Sequence, residues 1–208
     1  MSQYNENEII AEFFKDTETG TFLDVGAFDG IKDSNTHELS ELGWRGVYIE
    51  PNLETFWKLR RNKGEHHVCL HGACGRSDGI GEIVTASTPE LSTLYGDTIK
   101  LPHMANLFGE REHVPIWTIN QLHGRFWNFD FISIDAEGLD FDVLCGSLNA
   151  LLYCKLVCVE KGLPGRREDE PEFQMQNDKI NDIMNRVGWK PHAENEANLF
   201  FKSPLCCQ

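Results

Sequence analysis

The chain has 208 residues, of which 40% are hydrophobic, a size that suits one well-packed domain. Its net charge of −14 would repel a polyphosphate backbone, so we expect no nucleic-acid partner. No apolar run reaches the ~20 residues of a membrane span, and the N-terminus lacks the basic-then-apolar pattern of a secretory signal. We therefore expect a single domain over residues 1–208, without a membrane span and located in the cytoplasm.

Apolar periodicity predicts helices and strands that alternate along the first third of the chain. The predicted elements are a helix over 9–14, a strand over 21–25, a helix over 34–42, a strand over 47–49, a helix that opens at the N-cap Asn52 and runs to about residue 61, and a strand over 67–70. Strands that alternate with helices pair in parallel through right-handed crossovers. This part of the sequence therefore predicts a three-layer α/β sandwich.

The second half of the chain continues the alternation. "NFDFISID" is a continuous strand, a helix with Phe141, Leu144, Cys145 and Leu148 at helical spacing follows, and "KLVCVE" is another strand. The last helix places apolar residues on one face and ends at Gly188. "WKPHA" and "NLFFK" then predict a closing antiparallel pair.

The predicted strands end in acidic residues. Asp24, Glu50, Asp135 and Glu160 each lie at the carboxyl end of a strand. In an open α/β sheet the ligand crevice lies outside those ends. Four carboxylates should therefore meet at one edge of the sheet, where they would form a binding site.

The first of these strands breaks into a glycine-containing turn, "DVGAFDG", at residues 24–30. Glycines at such a turn allow backbone N–H groups to approach a ligand, and an acid after the next strand can accept hydrogen bonds from both ribose hydroxyls of an adenosine. The dinucleotide pattern G-x-G-x-x-G fails, because Phe28 and Ile31 occupy its second and third glycine positions. The turn therefore favours S-adenosylmethionine, which has no pyrophosphate, over NAD.

Three segments, "FLDVGAFDGIKDSNTHELSELGWRGVYIEPN", "FDFISIDAEGLDFDVLCG" and "KLVCVE", together resemble the FkbM-type methyltransferases, a branch of the class I S-adenosylmethionine-dependent fold. The resemblance covers roughly residues 20–160 and implies a Rossmann-like, mostly parallel seven-stranded sheet of order 3-2-1-4-5-7-6. It also implies that Asn35 holds the amino-acid end of the cofactor, that Glu50 binds its ribose, and that the backbone of Ala73 and Cys74 lies beside its adenine. The cofactor-binding residues expected in this way are Asp24, Gly26, Ala27, Phe28, Gly30, Asn35, Glu50, Pro51, Asn52, Ala73, Cys74 and Asp135.

Methyl transfer to a hydroxyl needs a group that takes up the hydroxyl proton. Asp135 and Glu137 are the first candidates, because "SIDAEG" leaves a strand beside the expected cofactor. His103 is an alternative base. A second interpretation is that Asp135, Glu137 and Glu160 bind a divalent cation such as Mg²⁺ or Mn²⁺, and a third is that the glutamates only cap helices.

The stretch over about 76–123 is too long for a simple connection, so we expect it to form an acceptor-binding lid. The resemblance implies that the acceptor is a carbohydrate hydroxyl, on a free sugar or a glycan terminus. Two alternatives stay open: methylation of a hydroxyl on a non-carbohydrate small molecule, and a non-catalytic docking module within a larger glycan-synthesis protein.

Overall fold

The computed structural model describes residues 4–86, 108–162 and 171–207. Its strands are β1 (Thr21–Val25), β2 (Arg45–Glu50), β3 (Val68–His71), β4 (Ala73–Cys74), β5 (Gly79–Ala86), β6 (Phe108–Trp117), β7 (Phe131–Ile134), β8 (Leu156–Glu160), β9 (Lys190–Glu194) and β10 (Asn198–Lys202). Its α-helices are α1 (Glu6–Phe13), α2 (His37–Glu41), α3 (Leu53–Lys63), α4 (Ile119–Arg125), α5 (Asp140–Cys145) and α6 (Pro171–Arg186). Two short 3-10 helices span Ala150–Leu152 and Pro204–Cys207.

Seven strands form one sheet in the order β3-β2-β1-β7-β8-β10-β9. All neighbours pair in parallel except β10, which is antiparallel to both β8 and β9. Counted among themselves, these strands have the expected order 3-2-1-4-5-7-6. The chain numbering differs because β4, β5 and β6 form a second, three-stranded sheet. The predicted Rossmann-like fold class is confirmed.

Helices cover both faces of the large sheet, because successive side chains of a strand point to opposite faces. Phe22 of β1 packs with buried residues of α1, α2 and α3 on one face. Its neighbour Leu23 packs with buried residues of α4, α5 and α6 on the other face. Both side chains are fully buried, so the sheet is the middle layer of the predicted sandwich.

Local sequence signals account for several element boundaries. The Asn52 side chain accepts a hydrogen bond from the Thr55 N–H (3.0 Å), so it is the predicted N-cap of α3. Helix α2 begins at His37, three residues later than predicted, because Thr36 stands outside the helix and uses its hydroxyl to bind Asp24. A polar side chain that bonds elsewhere competes with helix formation.

The segment expected to form a lid contains two kinds of structure. Strands β5 and β6 pair antiparallel in the small sheet, with residues 87–107 between them outside the described part of the chain. Helix α4, in contrast, buries Ile119 and Leu122 in the main core. None of the helices in the described part of the chain has the length and apolar content needed to cross a membrane.

Candidate active site

The turn after β1 lies against the ends of both neighbouring strands. The N–H groups of Gly26 and Ala27 both donate to the Ile49 carbonyl of β2, each at 3.0 Å. On the other side, a Cβ atom added to Gly26 would lie 1.8 Å from the Asp135 carbonyl oxygen, and the φ of Gly26 is +75°. Only glycine satisfies both conditions, so the close backbone approach at this position is made by the chain itself.

The rest of the turn also has an unusual backbone. Phe28 adopts a left-handed φ of 50°, and its N–H donates to Glu50 Oε2 at 2.9 Å. Gly30 has a φ of +74°, and a Cβ there would lie 2.6 Å from Lys63 Cε of α3. Left-handed non-glycine residues cost free energy and cluster at functional sites. The hydrogen bond to Glu50 therefore holds the turn in a strained, ordered conformation.

The four predicted carboxylates do meet at one edge of the sheet. Their strands β2, β1, β7 and β8 are consecutive neighbours in the sheet order. Asp24 and Glu50 are buried, with 5% and 6% of their surface exposed, whereas Asp135 is exposed and Glu160 is partly buried. The edge therefore brings four acidic groups together, and Asp135 is the most exposed of them.

Asp24 is held by a buried hydroxyl. Thr36 Oγ1 donates to Asp24 Oδ2 at 2.6 Å, and Thr36 itself is fully buried. Burial raises the pKa of Asp24 to about 7, although the Thr36 hydrogen bond and the Lys63 charge oppose this rise. The neighbouring Asn35 donates its amide N–H to Ser133 Oγ at 3.1 Å, which fixes Asn35 over the end of β7.

Glu50 binds two backbone N–H groups. Oε2 accepts from Phe28 at 2.9 Å, and Oε1 accepts from Asn52 at 2.7 Å. Burial raises the pKa of Glu50 to about 8, against these two hydrogen bonds. A carboxylate has about four lone-pair sites, so the fixed group keeps acceptor capacity for a ribose diol.

Asp135 and Glu160 are neighbouring acids whose carboxyl groups shift each other's pKa. Burial and the nearby Asp135, Glu137 and Asp140 carboxyls raise the pKa of Glu160 well above its usual value. Although part of the Asp135 surface is exposed, its carboxyl lies among protein groups, and this loss of solvation raises its pKa, while the interaction with Glu160 lowers it. The pKa rises further for Glu160, so of the two carboxyls Glu160 holds a proton more readily and the exposed Asp135 is the better acceptor.

The loop between β7 and α5 is fixed by Asp140. This fully buried carboxylate accepts from the Ala136 N–H (2.8 Å) and the Gly138 N–H (3.2 Å). Between these two residues, Glu137 has a left-handed φ of 49°. Asp140 thus holds Glu137 close to the acid pair. Sequence reasoning missed Asp140 as it missed Thr36, although an aspartate in the loop after a strand is a typical acceptor for loop N–H groups.

The other expected site residues differ in what the structure shows. Cys74 is 2% exposed and packs in the core, and Ala27 is also buried, so only the backbone of each can face a ligand. Pro51 binds His71 Nε2 through its carbonyl oxygen at 3.0 Å. The alternative base His103 lies outside the described residues.

The predicted metal set is not supported. In the described ranges, no group of three or more His, Cys, Asp or Glu side chains has an arrangement that could hold a metal ion. The physical reason lies in the surroundings of these carboxyls: loss of solvation raises the pKa values of Asp135 and Glu160, which disfavours two charged ligands side by side. Asp135, Glu137 and Glu160 therefore form an acid cluster and not a metal centre.

The three-layer fold, the strand order and the acidic edge define the class I methyltransferase fold. The sequence matches the "Methyltransferase FkbM domain" family over residues 24–191, and the chain belongs to this family. Enzymes of this family are S-adenosylmethionine-dependent methyltransferases. No curated protein matches the sequence significantly.

Solved structures are similar in fold. Methyltransferase FkbM from Methylobacillus flagellatus KT superposes with a TM-score of 0.56 and 12% identity, over 88% of this chain and 44% of that one. A proposed caffeoyl-CoA O-methyltransferase from Staphylococcus aureus gives a TM-score of 0.56 and 10% identity, over 98% and 85% of the two chains. A proposed rRNA methylase from Clostridium thermocellum gives a TM-score of 0.52 and 7% identity, over 97% of each chain. The match to the Methylobacillus protein covers less than half of that protein's length.

Proposed function

We propose that this domain transfers a methyl group from S-adenosylmethionine to a hydroxyl group of a carbohydrate, on a free sugar or a glycan terminus. The observation that carries the proposal is the convergence of Asp24, Glu50 and Asp135 beside the turn after β1. This geometry supplies acceptors for a ribose, negative charge for a cationic cofactor and a base beside an opening.

The chemistry of the edge fits the cofactor. S-Adenosylmethionine carries a sulfonium and an ammonium group, and its ribose donates two hydroxyl protons. Burial raises the pKa values of Asp24 to about 7 and of Glu50 to about 8, so both carboxylates lack enough positive or donor partners within the protein. A cationic ligand with hydroxyl donors would supply both.

We assign the cofactor to the turn after β1 and to the end of β2. Glu50 would accept hydrogen bonds from the ribose, with Pro51 and Asn52 beside it, and Asn35 would bind the amino-acid end. The remaining contacts are assigned to Asp24, Gly26, Ala27, Phe28, Gly30, Asp135 and the backbone of Ala73 and Cys74. When bound, the cofactor supplies a methyl group that its sulfonium makes electrophilic.

Asp135 is the base that we propose for the acceptor hydroxyl. It is exposed directly after the end of β7, and its pKa is raised above the usual value for an aspartate. A carboxylate with a raised pKa is a stronger base than an ordinary aspartate. As the oxygen of the acceptor forms its bond to carbon, the hydroxyl proton would pass to Asp135. Glu137, held beside the pair, is the second candidate for this role, and His103 remains a prediction.

The test is transfer of a labelled methyl group from S-adenosylmethionine to a panel of mono- and oligosaccharides. We expect Asp135→Asn to lower turnover by roughly 100-fold or more, the usual contribution of a general base, while calorimetry shows that most of the cofactor affinity is kept, because asparagine retains one acceptor oxygen. Asp182→Asn is the matched control, because Asp182 is exposed and pairs only with Arg186 one helical turn away.

Each result decides a separate part of the proposal. Near-normal turnover of Asp135→Asn would remove Asp135 from the mechanism. Methylation of small-molecule hydroxyls but of no sugar would overturn the carbohydrate acceptor. Failure of the wild-type protein to bind S-adenosylmethionine would favour a non-catalytic module of a larger glycan-synthesis protein. An arm with EDTA should leave turnover unchanged.

A further inference from the structure

A cavity lies at the opposite end of the strands from the acidic edge. It has a volume of about 600 Å³ and opens between the loop before β2 and the loop before β3. Because β2 runs from Arg45 beside the cavity to Glu50 at the acidic edge, the two sites are roughly 17 Å apart along the strand. The polar residues that line the cavity include Ser40, Glu41, Arg45, Lys63, His66 and His67.

Lys63 is the central group of this cavity. Only 7% of its surface is exposed, yet within the described residues no carboxylate lies within ion-pair distance of its ammonium nitrogen. Nζ donates to Ser40 Oγ at 3.0 Å, contacts His37 Nδ1 at 3.2 Å and lies 5.1 Å from the centre of the Tyr48 ring. The charges of Asp24 and Glu41 act on it only from beyond ion-pair distance, and burial lowers its pKa. An ammonium group has three donors, and a buried charge is costly unless it is paired. The site therefore favours an external anion.

The other lining groups make the cavity positive in a chain whose net charge is −14. Arg45 and His66 are exposed at its edge, and Glu41 is the one acid among the described lining residues. His67 Nδ1 accepts the Gly46 N–H at 3.1 Å, so in the neutral ring Nε2 carries the proton and is a donor. Burial and the Lys63 charge lower the pKa values of His37 and His67, which agrees with a positive potential there.

We propose that this cavity binds the phosphate group of a phosphorylated small molecule. Lysine, arginine and imidazole donors are the groups that bind phosphate oxygens in proteins. A cavity of about 600 Å³ is much larger than a phosphate ion and lies within the range of small-molecule sites. The remaining space therefore accommodates an organic part. The site is separate from the methyl-transfer site and does not depend on the proposed acceptor.

The position of Lys63 links the two sites. Its side chain packs against Gly30 at the end of the cofactor turn, where an added Cβ would approach Lys63 Cε to 2.6 Å. Its charge also lowers the pKa of Asp24. Neutralisation of Lys63 by a bound anion would therefore raise the pKa of Asp24 at the acidic edge.

The experiment is calorimetric titration of the full chain at pH 7 with inorganic phosphate and, separately, with a hexose phosphate. We expect saturable binding of both, with the hexose phosphate tighter because it fills more of the cavity. Lys63→Gln should weaken binding by about tenfold or more, the usual loss for a hydrogen bond to a charged group. Lys58→Gln is the matched control on the same helix. Lys58 pairs with Glu54 on the surface, so its substitution should leave the affinity unchanged.

The outcomes separate cleanly. If inorganic phosphate bound more tightly than the hexose phosphate, the cavity would be an ion site without an organic ligand, and the proposal would be overturned. The absence of saturable binding up to about 20 mM, or equal affinity of wild type and Lys63→Gln, would also overturn it. If circular dichroism shows that Lys63→Gln is unfolded, the exposed double variant Arg45→Gln/His66→Gln decides: weakened binding supports the proposal, and wild-type affinity overturns it.

Discussion

Replacement of Gly26 by alanine tests whether the turn after β1 is fixed by its contact with the end of β7. The φ of +75° costs an alanine about 1–2 kcal/mol. The new Cβ would also lie 1.8 Å from the Asp135 carbonyl oxygen, so the two backbones must separate. That movement breaks hydrogen bonds such as Gly26 N–H to Ile49 O and Asp135 N–H to Val25 O, both 3.0 Å.

The expected loss follows from these terms. With about 1 kcal/mol for each hydrogen bond, Gly26→Ala should lower the free energy of unfolding by about 3–4 kcal/mol. Gly188→Ala isolates the backbone term, because Gly188 has a φ of +86° but nothing within 4 Å of an added Cβ. We expect this control to lose only about 1–2 kcal/mol.

Urea unfolding followed by circular dichroism measures both losses, and calorimetry measures S-adenosylmethionine binding in parallel. Gly26→Ala should also weaken cofactor binding by at least about tenfold, because the turn would no longer lie against Asp135. Gly188→Ala should bind the cofactor normally. Equal destabilisation by the two substitutions would refute the reasoning, because it would mean that the contact with Asp135 adds nothing to the backbone strain.

Two further predictions concern the buried acids. Thr36→Val should lower the free energy of unfolding by about 1–3 kcal/mol, because it removes the 2.6 Å hydrogen bond to Asp24. In urea unfolding, Thr36→Ser should restore most of this loss, because serine keeps the hydroxyl. Equal losses for the two variants would mean that packing of the Thr36 methyl group, and not the hydrogen bond, stabilises the site. The raised pKa values of Asp24 (about 7) and Glu50 (about 8) mean that the folded protein binds protons more tightly than the unfolded chain does. The free energy of unfolding without cofactor should therefore rise as pH falls from about 8 to about 5, with a smaller rise in Glu50→Gln, and a pH-independent stability would contradict the assignment.

The sheet was predictable because its signals are local. β1 and β10 have the predicted bounds, and β10 pairs antiparallel with β9 as expected. The acidic edge could also be predicted, since the parallel direction of the strands brings their carboxyl ends together whatever the details of packing. That rule alone predicts that Asp24, Glu50, Asp135 and Glu160 lie at one edge of the sheet.

The physical reasons for individual site residues were not predictable in the same way. A glycine in the sequence indicates close approach but not what approaches, and Gly26 is required by the Asp135 carbonyl. The burial of Thr36 against Asp24 depends on where α2 starts, which is a tertiary outcome. That no carboxylate of the described residues lies within ion-pair distance of Lys63 is likewise invisible in a sequence, because charge pairing across elements is set by packing and not by spacing.

The acidic edge makes better sense as a binding site than as a stabilising network. Clustered carboxylates in a buried setting raise one another's pKa values and cost stability when ionised. A structural role would be served better by apolar side chains, which carry no such penalty. Hydrogen bonds from Thr36 and from the backbone at Phe28 nevertheless hold Asp24 and Glu50 in place. Acids that are both fixed and electrostatically unsatisfied are expected where a cationic ligand completes the site, because the ligand then supplies the charge that the protein leaves out.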